Sequence, residues 1–445
     1  MIDVLRSIFG KLDKYNRKVL NIYLILNVIW LFVGIFFYNY LRFSYQGFSV
    51  SLVFLFIINL MIIIYANVRK KVSFNKIDIF LILLVIFGII ACVFAQNVSV
   101  SLYGSWKRFE GFFQLLYYYS LFYLSTLSFN KKSIINFVLA FGLINFFISF
   151  LQVFDVLKFI PIANRGTTLA HGLITNSNFF CSYMVICLGL SLGLFLYSSN
   201  TFFKNVLNLF LVLCFWSGLL LSNALSGIVG LFFICLFIII YFIYNIFKKQ
   251  IRNVDIGKHA LVFLLCLILF IVLSICDKTL VFNDVKNLFV ETKNISIDIK
   301  KNNELSGNYG NGRMFIWKNI IVRVPRYAFH GVGVDCLLFA PDITLTGEFG
   351  SGNFVYFDKA HNEYLQKLIC EGIFSLITYL GFLFVIFITS WKRFFKGDSS
   401  IIYLFLPFVG YCIQAFFNIS VIEVAPLFFL VSGLLYDRNF KIEKC

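Results

Sequence analysis

The sequence predicts an all-α, polytopic membrane protein, and three observations carry that prediction. The 445 residues are 60% hydrophobic and have a mean hydropathy of +0.88. Only 13% of them are charged, whereas soluble domains carry about a quarter. The apolar residues gather in about twelve blocks, each near the length at which a helix crosses the hydrocarbon core of a bilayer. Because backbone polar groups find no water in lipid, such blocks form helices.

The blocks divide the chain into regions of different character. Residues 1–19 form a basic N-terminus, residues 20–276 hold spans one to nine, and residues 277–361 form one large polar loop. Residues 362–436 hold spans ten to twelve, and residues 437–445 close the chain. The predicted spans are 20–41, 48–67, 77–95, 112–129, 133–154, 178–197, 205–222, 226–247, 259–276, 366–390, 401–418 and 421–436.

The net charge of +17 reflects membrane topology and not nucleic-acid binding. Cations concentrate in every second loop, which is the positive-inside pattern. Lys18 precedes the first span, Lys70 follows the second, Lys248 follows the eighth and Lys441 lies near the end of the chain. The pattern predicts cytoplasmic termini and an extracytoplasmic large loop. We expect the lipid bilayer as a partner, and no nucleic acid.

Cations on the predicted outer side are informative because topology does not require them. Arg108 lies in YGSWKRFEGF, Arg165 lies in NRGTTLAHGLITNSNFF, and Arg313 follows Gly310 and Gly312 in GNGRMFIW. Guanidinium forks bind phosphates, glycines allow close backbone approach, and a helix N-terminus favours an anion. These features predict a site for the pyrophosphate of a lipid carrier. The competing interpretation is that the arginines pair with lipid phosphates or with nearby carboxylates.

The large loop contains two kinds of sequence. DVKNLFVETKNISIDIKKNNELSGNYGNG is polar and is predicted to be mobile at its end, whereas RMFIWKNIIVRV has a helical period. That period places Met314, Trp317 and Ile321 on one face, and Pro325 is expected to end the helix. An aromatic, half-apolar helix of this kind is typical of the membrane interface.

The segment DKAHNEYLQKLICEG, residues 358–372, places His361 and Asn362 where the large loop returns to apolar sequence. Asn362 is suited to cap a helix that begins at Glu363. A continuous helix over 363–390 would be longer than the bilayer core is thick, so His361 would lie at its outer mouth. The positive end of a helix disfavours the imidazolium. The sequence therefore predicts a neutral His361 that accepts a proton from an acceptor hydroxyl.

Two late blocks of the sequence resemble a known family. HNEYLQKLICEGIFSLITYLGFL is similar to the signature of the O-antigen ligase and O-antigen polymerase family, and GNGRMFIWKNIIVRVPRYAFHGVGVD is similar to its second block. YGSWKRFEGFFQLLYYYSLF and NRGTTLAHGLITNSNFF resemble its membrane half more weakly. The resemblance implies a GT-C-like glycosyltransferase of the bacterial cytoplasmic membrane. Such proteins transfer a glycan from undecaprenyl pyrophosphate to a hydroxyl without a metal or other cofactor.

The resemblance also implies roles for individual residues. His361 would be the general base, Arg313 would bind the donor pyrophosphate and Asn362 would position the loop. Arg108 and Arg165 are candidate further donor ligands because of their predicted outward positions. The residues expected to support the site are Asn362, Trp317, Glu371 and Gly312.

One departure from the family concerns the start of the eighth span. The family often has an arginine there, whereas SNALSGIVGL offers Leu225, Ser226 and Gly227 and no cation. Either Arg108 or Arg165 would supply that charge, or this chain would bind its donor differently.

Several alternatives remain open at this stage. A transporter or flippase of lipid-linked sugars would also have about twelve spans, but the halves of the chain do not match as transporter repeats do. A metal-dependent oligosaccharyltransferase needs clustered outward carboxylates, and the sequence has no such pair. The acceptor would be a glycan, a lipid or a protein. A polymerase would work beside a flippase and a chain-length regulator, whereas a ligase need not.

Overall fold

The structure is a computed structural model. It describes residues 13–41, 45–68, 74–106, 108–128, 130–154, 170–174, 176–197, 201–248, 253–276, 279, 281–300, 310, 312–340, 345–346, 354–355, 358–396, 398, 401–436 and 438.

Nearly all of the described residues are helical. The first helices are α1 (Asp13–Leu41), α2 (Tyr45–Val68), α3 (Lys76–Val93), α4 (Val98–Tyr103), α5 (Phe112–Thr126), α6 (Lys131–Val153), α7 (Ser177–Tyr197) and α8 (Phe202–Leu221). They are followed by α9 (Leu225–Phe247), α10 (Asn253–Ile275), α11 (Val281–Lys300), α12 (Arg313–Tyr327), α13 (Glu363–Glu371), α14 (Ile373–Phe395), α15 (Ile402–Gln414) and α16 (Ala425–Leu435). A two-residue antiparallel pair, β1 (Leu345–Thr346) and β2 (Phe354–Val355), interrupts the large loop.

The prediction of an all-α polytopic membrane protein is confirmed. Within the described segments, 9 helices are long and apolar enough to cross a membrane. Three other predicted spans form shorter helices: α5 has 15 residues, α15 has 13 and α16 has 11. The expectation of about twelve helices of full crossing length is therefore wrong for these three. At 1.5 Å per residue they fall short of the ~30 Å hydrocarbon core.

Helix α7 forms the centre of the bundle, and its membrane-length segment is wholly buried. Helix α15 packs along it, and α16 packs on α5. Two glycines of α7 allow the contact with α15. A Cβ at Gly193 would come within 2.3 Å of the Tyr403 Cα, and one at Gly189 would come within 2.6 Å of the Pro407 nitrogen. The three short helices belong to the core of the bundle, since most of their residues are buried.

The two ends of the bundle differ in their charged groups. Helix α3 begins beside the buried Asp78–Arg438 pair at one end. At the other end, the Gln96 backbone N–H, just beyond α3, donates to the Val332 carbonyl of the large loop at 2.9 Å. That second end carries the predicted site residues, and we call it the site end.

The predicted continuous helix over 363–390 is wrong, because the chain breaks between α13 and α14 at Gly372. Gly372 has φ +86°. The loop segment 328–333 takes the hydrogen bonds that a continuous helix would form: Val332 N–H donates to the Ile369 carbonyl at 2.9 Å, and Gly333 N–H donates to the Cys370 carbonyl at 3.0 Å. Ile373 N–H donates in turn to the Ala328 carbonyl at 2.6 Å.

The large loop holds more helix than its sequence predicts. Helix α11 covers a polar stretch with no predicted regular structure. Of the end of that stretch, which is predicted to be mobile, residues 301–309 and 311 lie outside the described residues. Helix α12 begins at Arg313 but continues through Pro325 to Tyr327. Its buried face consists of Ile316, Ile320 and Tyr327, while Ile321 is 58% exposed. The predicted face is therefore rotated, although Trp317 is half-buried at its edge.

Candidate active site

The loop before α13 presents His361 from a firmly held backbone. The predicted cap is confirmed, since the Asn362 side chain accepts from Leu365 N–H at 3.0 Å. Ala360 is held on both sides: its N–H donates to Gln366 Oε1 at 2.7 Å, and its carbonyl accepts from Trp317 Nε1 at 3.0 Å. Trp317 thus joins α12 to the loop, as a supporting residue should.

The His361 ring differs from the other histidine rings in its contacts. His171 lies 2.8 Å from the Ile174 carbonyl, His259 lies 3.2 Å from the Tyr197 hydroxyl, and His330 lies 2.6 Å from the Gly331 carbonyl. No group in the described part of the chain hydrogen-bonds the ring of His361. A polar ring without a protein partner at the mouth of a helix is available to a ligand.

The surroundings of His361 keep its ring neutral. Burial, together with the charges of Arg313 and Arg108 and against the opposing charge of Asp358, lowers the pKa of His361 to about 4. The neutral ring that the sequence predicts is therefore present at physiological pH. The same interactions show that Arg313 and Arg108 lie close enough to His361 for their charges to act on it. From the sequence alone, the proximity of Arg313, Arg108 and His361 was a hypothesis.

Arg108 reaches the site from the segment between α4 and α5. Its Nε lies 2.7 Å from Asp358 Oδ2, and its guanidinium lies 5.6 Å from the centre of the Phe179 ring. Burial disfavours the Asp358 carboxylate, but the charge and hydrogen bond of Arg108, together with the charges of Lys359 and His361, outweigh burial and lower the pKa of Asp358. Asp358 therefore remains an anion paired with Arg108. This role of Asp358 could not be predicted from the sequence beyond its place in the loop.

Arg313 is the first residue of α12, and two glycines bring it there. Gly310 and Gly312 have φ of +63° and +80°, a region that favours glycine. Burial lowers the pKa of Arg313, but the guanidinium remains charged at any physiological pH. Across the described segments, no carboxylate forms an ion pair with Arg313. A half-buried cation at a helix N-terminus without a counter-ion favours an anionic ligand.

A cluster of buried charges lies behind the His361 loop. The Lys359 ammonium lies 2.9 Å from Glu110 Oε2 and 3.0 Å from Asp335 Oδ1. Together with residues of α13, these three line a cavity of about 60 Å³, which has room for a few water molecules. Sequence reasoning missed the cluster, because its members are far apart in the chain.

Two further acids of α13 belong to this cavity. Glu371 pairs with Lys367 at 2.8 Å, so the structure places this predicted supporting residue in the cavity lining and not against His361. Glu363 accepts hydrogen bonds from Tyr379 at 2.6 Å and from Tyr411 at 3.2 Å. Burial raises the pKa of Glu363 to about 7.

The remaining predicted residues are distributed as follows. Arg165 lies outside the described residues. Ser226, in the segment where the resemblance implied an arginine, is buried and accepts from Gln414 Nε2 at 3.4 Å. Of the two arginines suggested as its replacement, the structure places Arg108 beside His361.

Fold and site define a multi-pass membrane protein with an arginine-flanked, neutral histidine at one end of a helical bundle. A comparison with protein-family models gives the same class, because the model described as O-antigen ligase matches residues 209–380. The matched segment includes α12, Arg313, His361 and Asn362, and supports assignment of the chain to the O-antigen ligase family. It thereby supports a membrane glycosyltransferase of the ligase/polymerase type. A search among curated proteins found no match.

Proposed function

We propose that the protein transfers a glycan from a polyprenyl pyrophosphate, of the undecaprenyl type, to a hydroxyl acceptor on the extracytoplasmic side of the bacterial membrane. The observation that carries the proposal is the pairing of Arg313 with His361. A desolvated guanidinium without a carboxylate lies beside a neutral ring without a hydrogen-bond partner among the described residues. One group requires an anion, and the other can accept a proton.

The reaction assigns a task to each charged group. Arg313 and Arg108 bind the pyrophosphate of the donor, where guanidinium forks match phosphate oxygens. His361 takes the proton of the acceptor hydroxyl as its oxygen attacks the anomeric carbon. The new C–O bond forms while the bond from that carbon to the pyrophosphate breaks, and the lipid pyrophosphate leaves with the electron pair. The proton on His361 then passes to water.

Donor binding also makes His361 a better base in this scheme. The two arginines lower its pKa in the empty site. A bound pyrophosphate offsets their charge, so the pKa of His361 rises towards its ordinary value. A base is most effective when its pKa lies near the working pH. Donor binding therefore makes the His361 ring more basic.

The arginines supply in this scheme the charge that divalent cations supply to other pyrophosphate-using enzymes. The acceptor is a hydroxyl of a growing glycan, of a lipid or of a protein. Arg165 lies outside the described residues, so its contribution to donor binding is proposed from the sequence alone.

The proposal is tested by transfer assays on purified protein in vesicles with a polyprenyl-pyrophosphate glycan and candidate acceptors. His361→Ala should lower transfer by about 10²–10⁴-fold, the usual contribution of a general base. His259→Ala is the matched control, because that ring is bonded to Tyr197 on another part of the bundle, and it should retain activity. Transfer by His361→Ala at the wild-type rate would refute the assignment of the base.

A further inference from the structure

The buried Lys359 cluster joins three segments of the active-site end that are remote in sequence. The exposed fractions of the side chains are 4% for Lys359, 3% for Glu110 and 0% for Asp335. Burial disfavours the ammonium, but the two carboxylates outweigh it and raise the pKa of Lys359. The ammonium is therefore permanently charged and bridges both acids.

Each member of the cluster lies close in sequence to a group of the proposed mechanism or to its support. Glu110 follows Arg108 by two residues, and Lys359 precedes His361 by two residues. Asp335 accepts from the Ser105 N–H at 2.7 Å, which holds the same segment that carries Arg108. The position of one ammonium thus influences the distance between a donor arginine and the base.

The backbone at these positions shows that the segments are constrained. Among the described non-glycine residues with positive φ are Phe109 at +49°, Asp335 at +55° and His361 at +51°. Side chains other than glycine adopt this region only when the surrounding structure enforces it. Phe109 separates Arg108 from Glu110, Asp335 is itself a ligand of Lys359, and His361 is the base. Of the three, Asp335 contacts Lys359 directly, while Phe109 is next to Glu110 and His361 is two residues from Lys359 in the sequence.

The second buried lysine of the cavity provides a contrast. Lys367 pairs with Glu371 at 2.8 Å, and both belong to α13 at positions i and i+4. The Lys367–Glu371 pair is also largely buried, with exposed side-chain fractions of 9% and 7%, but it lies within a single helix. It contributes to the charge balance of the cavity without linking the His361 loop to the segment of Arg108.

We propose that Lys359 is a positioning residue, which sets the geometry of His361 relative to the arginine-bound donor without touching either substrate. This inference rests on the proposed function. Buried ion pairs seldom add net stability over apolar side chains of similar volume, so a purely stabilising role does not call for three charges here. A displacement of about 1 Å at a reacting group can slow a reaction by about 10²-fold, which is sufficient reason for such a contact.

The test compares Lys359→Met, Lys359→Arg and Lys367→Met in the vesicle assay, with kcat, donor KM and thermal stability measured for each. Lys359→Met should lower kcat by about 10²-fold and change donor KM by less than about threefold, because Arg313 remains in place. Lys359→Arg should recover at least about tenfold of the lost kcat, since it retains the charge. Lys367→Met should lower the Tm by a similar amount, but kcat by no more than about threefold.

The inference is overturned if Lys359→Met keeps a wild-type kcat, or if Lys367→Met loses as much kcat as Lys359→Met. Should Lys359→Met fail to fold, the neutral triple variant Lys359→Met, Glu110→Gln, Asp335→Asn removes all three charges together. That variant should fold and remain slow, and wild-type kcat in it would equally overturn the inference. His361→Ala in parallel separates the two proposals, because an active His361→Ala refutes the base, whereas an inactive one beside a fully active Lys359→Met refutes only the positioning role.

Discussion

Arg438 and Arg313 are both withdrawn from water, at opposite ends of the bundle, yet their surroundings differ completely. Arg438 grips Asp78 with two bonds, at 2.9 Å and 2.7 Å, and its guanidinium lies 4.2 Å from the centre of the Tyr123 ring. Arg313 has no such carboxylate in the described part of the chain. A guanidinium that is paired with a carboxylate of the protein stabilises the fold. A desolvated guanidinium with no anionic partner favours an anionic ligand.

The same contrast applies within the site end itself. Lys359 and Lys367 are fully paired and lie behind the His361 loop, while Arg313 and the His361 ring face the proposed donor site. Internal pairing therefore separates the groups that hold the site together from the groups that act on substrate. The following predictions test that separation.

The largest difference is expected between the two arginines. Arg313→Ala should lower transfer by about 10²–10³-fold, as the loss of one preorganised charge donor does, with little loss of thermal stability. Arg438→Met should do the reverse, because it leaves Asp78 buried without its partner at a cost of about 3–5 kcal/mol. Transfer rates and thermal melts of both variants measure this. An equal loss of activity in both variants, or a strong loss of thermal stability in Arg313→Ala, would contradict the different roles assigned to the two arginines.

Acid pH should lower kcat/KM for the donor much less than it would in an enzyme whose base is a histidine of ordinary pKa. The folded pKa of His361 is lowered to about 4, so the ring stays neutral until the pH falls through that value. A base with pKa 6.5 would lose about thirtyfold in kcat/KM between pH 8 and pH 5, whereas His361 should lose less than about twofold. A pH profile of kcat/KM for the donor decides between them. An acid limb near pH 6.5 would contradict the account of His361.

Asp358 should have a smaller but specific effect, because it holds Arg108 and opposes the arginine charges at His361. Asp358→Asn should lower kcat/KM by about tenfold, since Arg108 loses its charged partner and the pKa of His361 falls further. Asp358→Glu should keep part of the activity. Steady-state kinetics of the pair measure the effect, and an Asp358→Asn enzyme faster than wild type would show that the carboxylate competes with the donor.

Glu363 should affect stability with a defined pH dependence. Burial raises its folded pKa to about 7 from the ordinary 4.5, so between these two pH values the folded state holds a proton that the unfolded state releases. The stability contributed by this group is therefore present below pH 4.5 and is lost as the pH rises to about 7. Glu363→Gln should raise the Tm relative to wild type more at pH 8 than at pH 5. Thermal melts at both pH values measure it, and an equal shift would refute the raised pKa.

Removal of divalent cations should have the smallest effect, since arginines and not metal ions bind the donor in this account. Transfer after dialysis against EDTA should remain within about twofold of the untreated rate. Loss of transfer that returns with Mg²⁺ or Mn²⁺ would instead indicate that a cation bridges the donor phosphates.

The sequence predicted those features of the fold and site that depend on local information. The helical nature of the apolar blocks and the Asn362 cap are read from neighbouring residues, and both are confirmed, although three of the blocks form shorter helices than predicted. The break at Gly372 was not predicted, because segment 328–333 supplies its hydrogen bonds from some forty residues upstream. Lys359 was missed for the same reason: its partners Glu110 and Asp335 are distant in sequence and become neighbours only in the fold.

The account depends most on one relation, that Arg313 and His361 share a single diphosphate site. It is tested most directly by NMR of protein labelled in its 4 histidine rings, with the His361 signal assigned through His361→Gln and titrated with and without a short-chain polyprenyl diphosphate. We expect the pKa of His361 to lie near 4 in the empty protein, to rise on binding, and to show no such rise in Arg313→Ala. A His361 signal that titrates identically with and without the diphosphate would contradict the shared site.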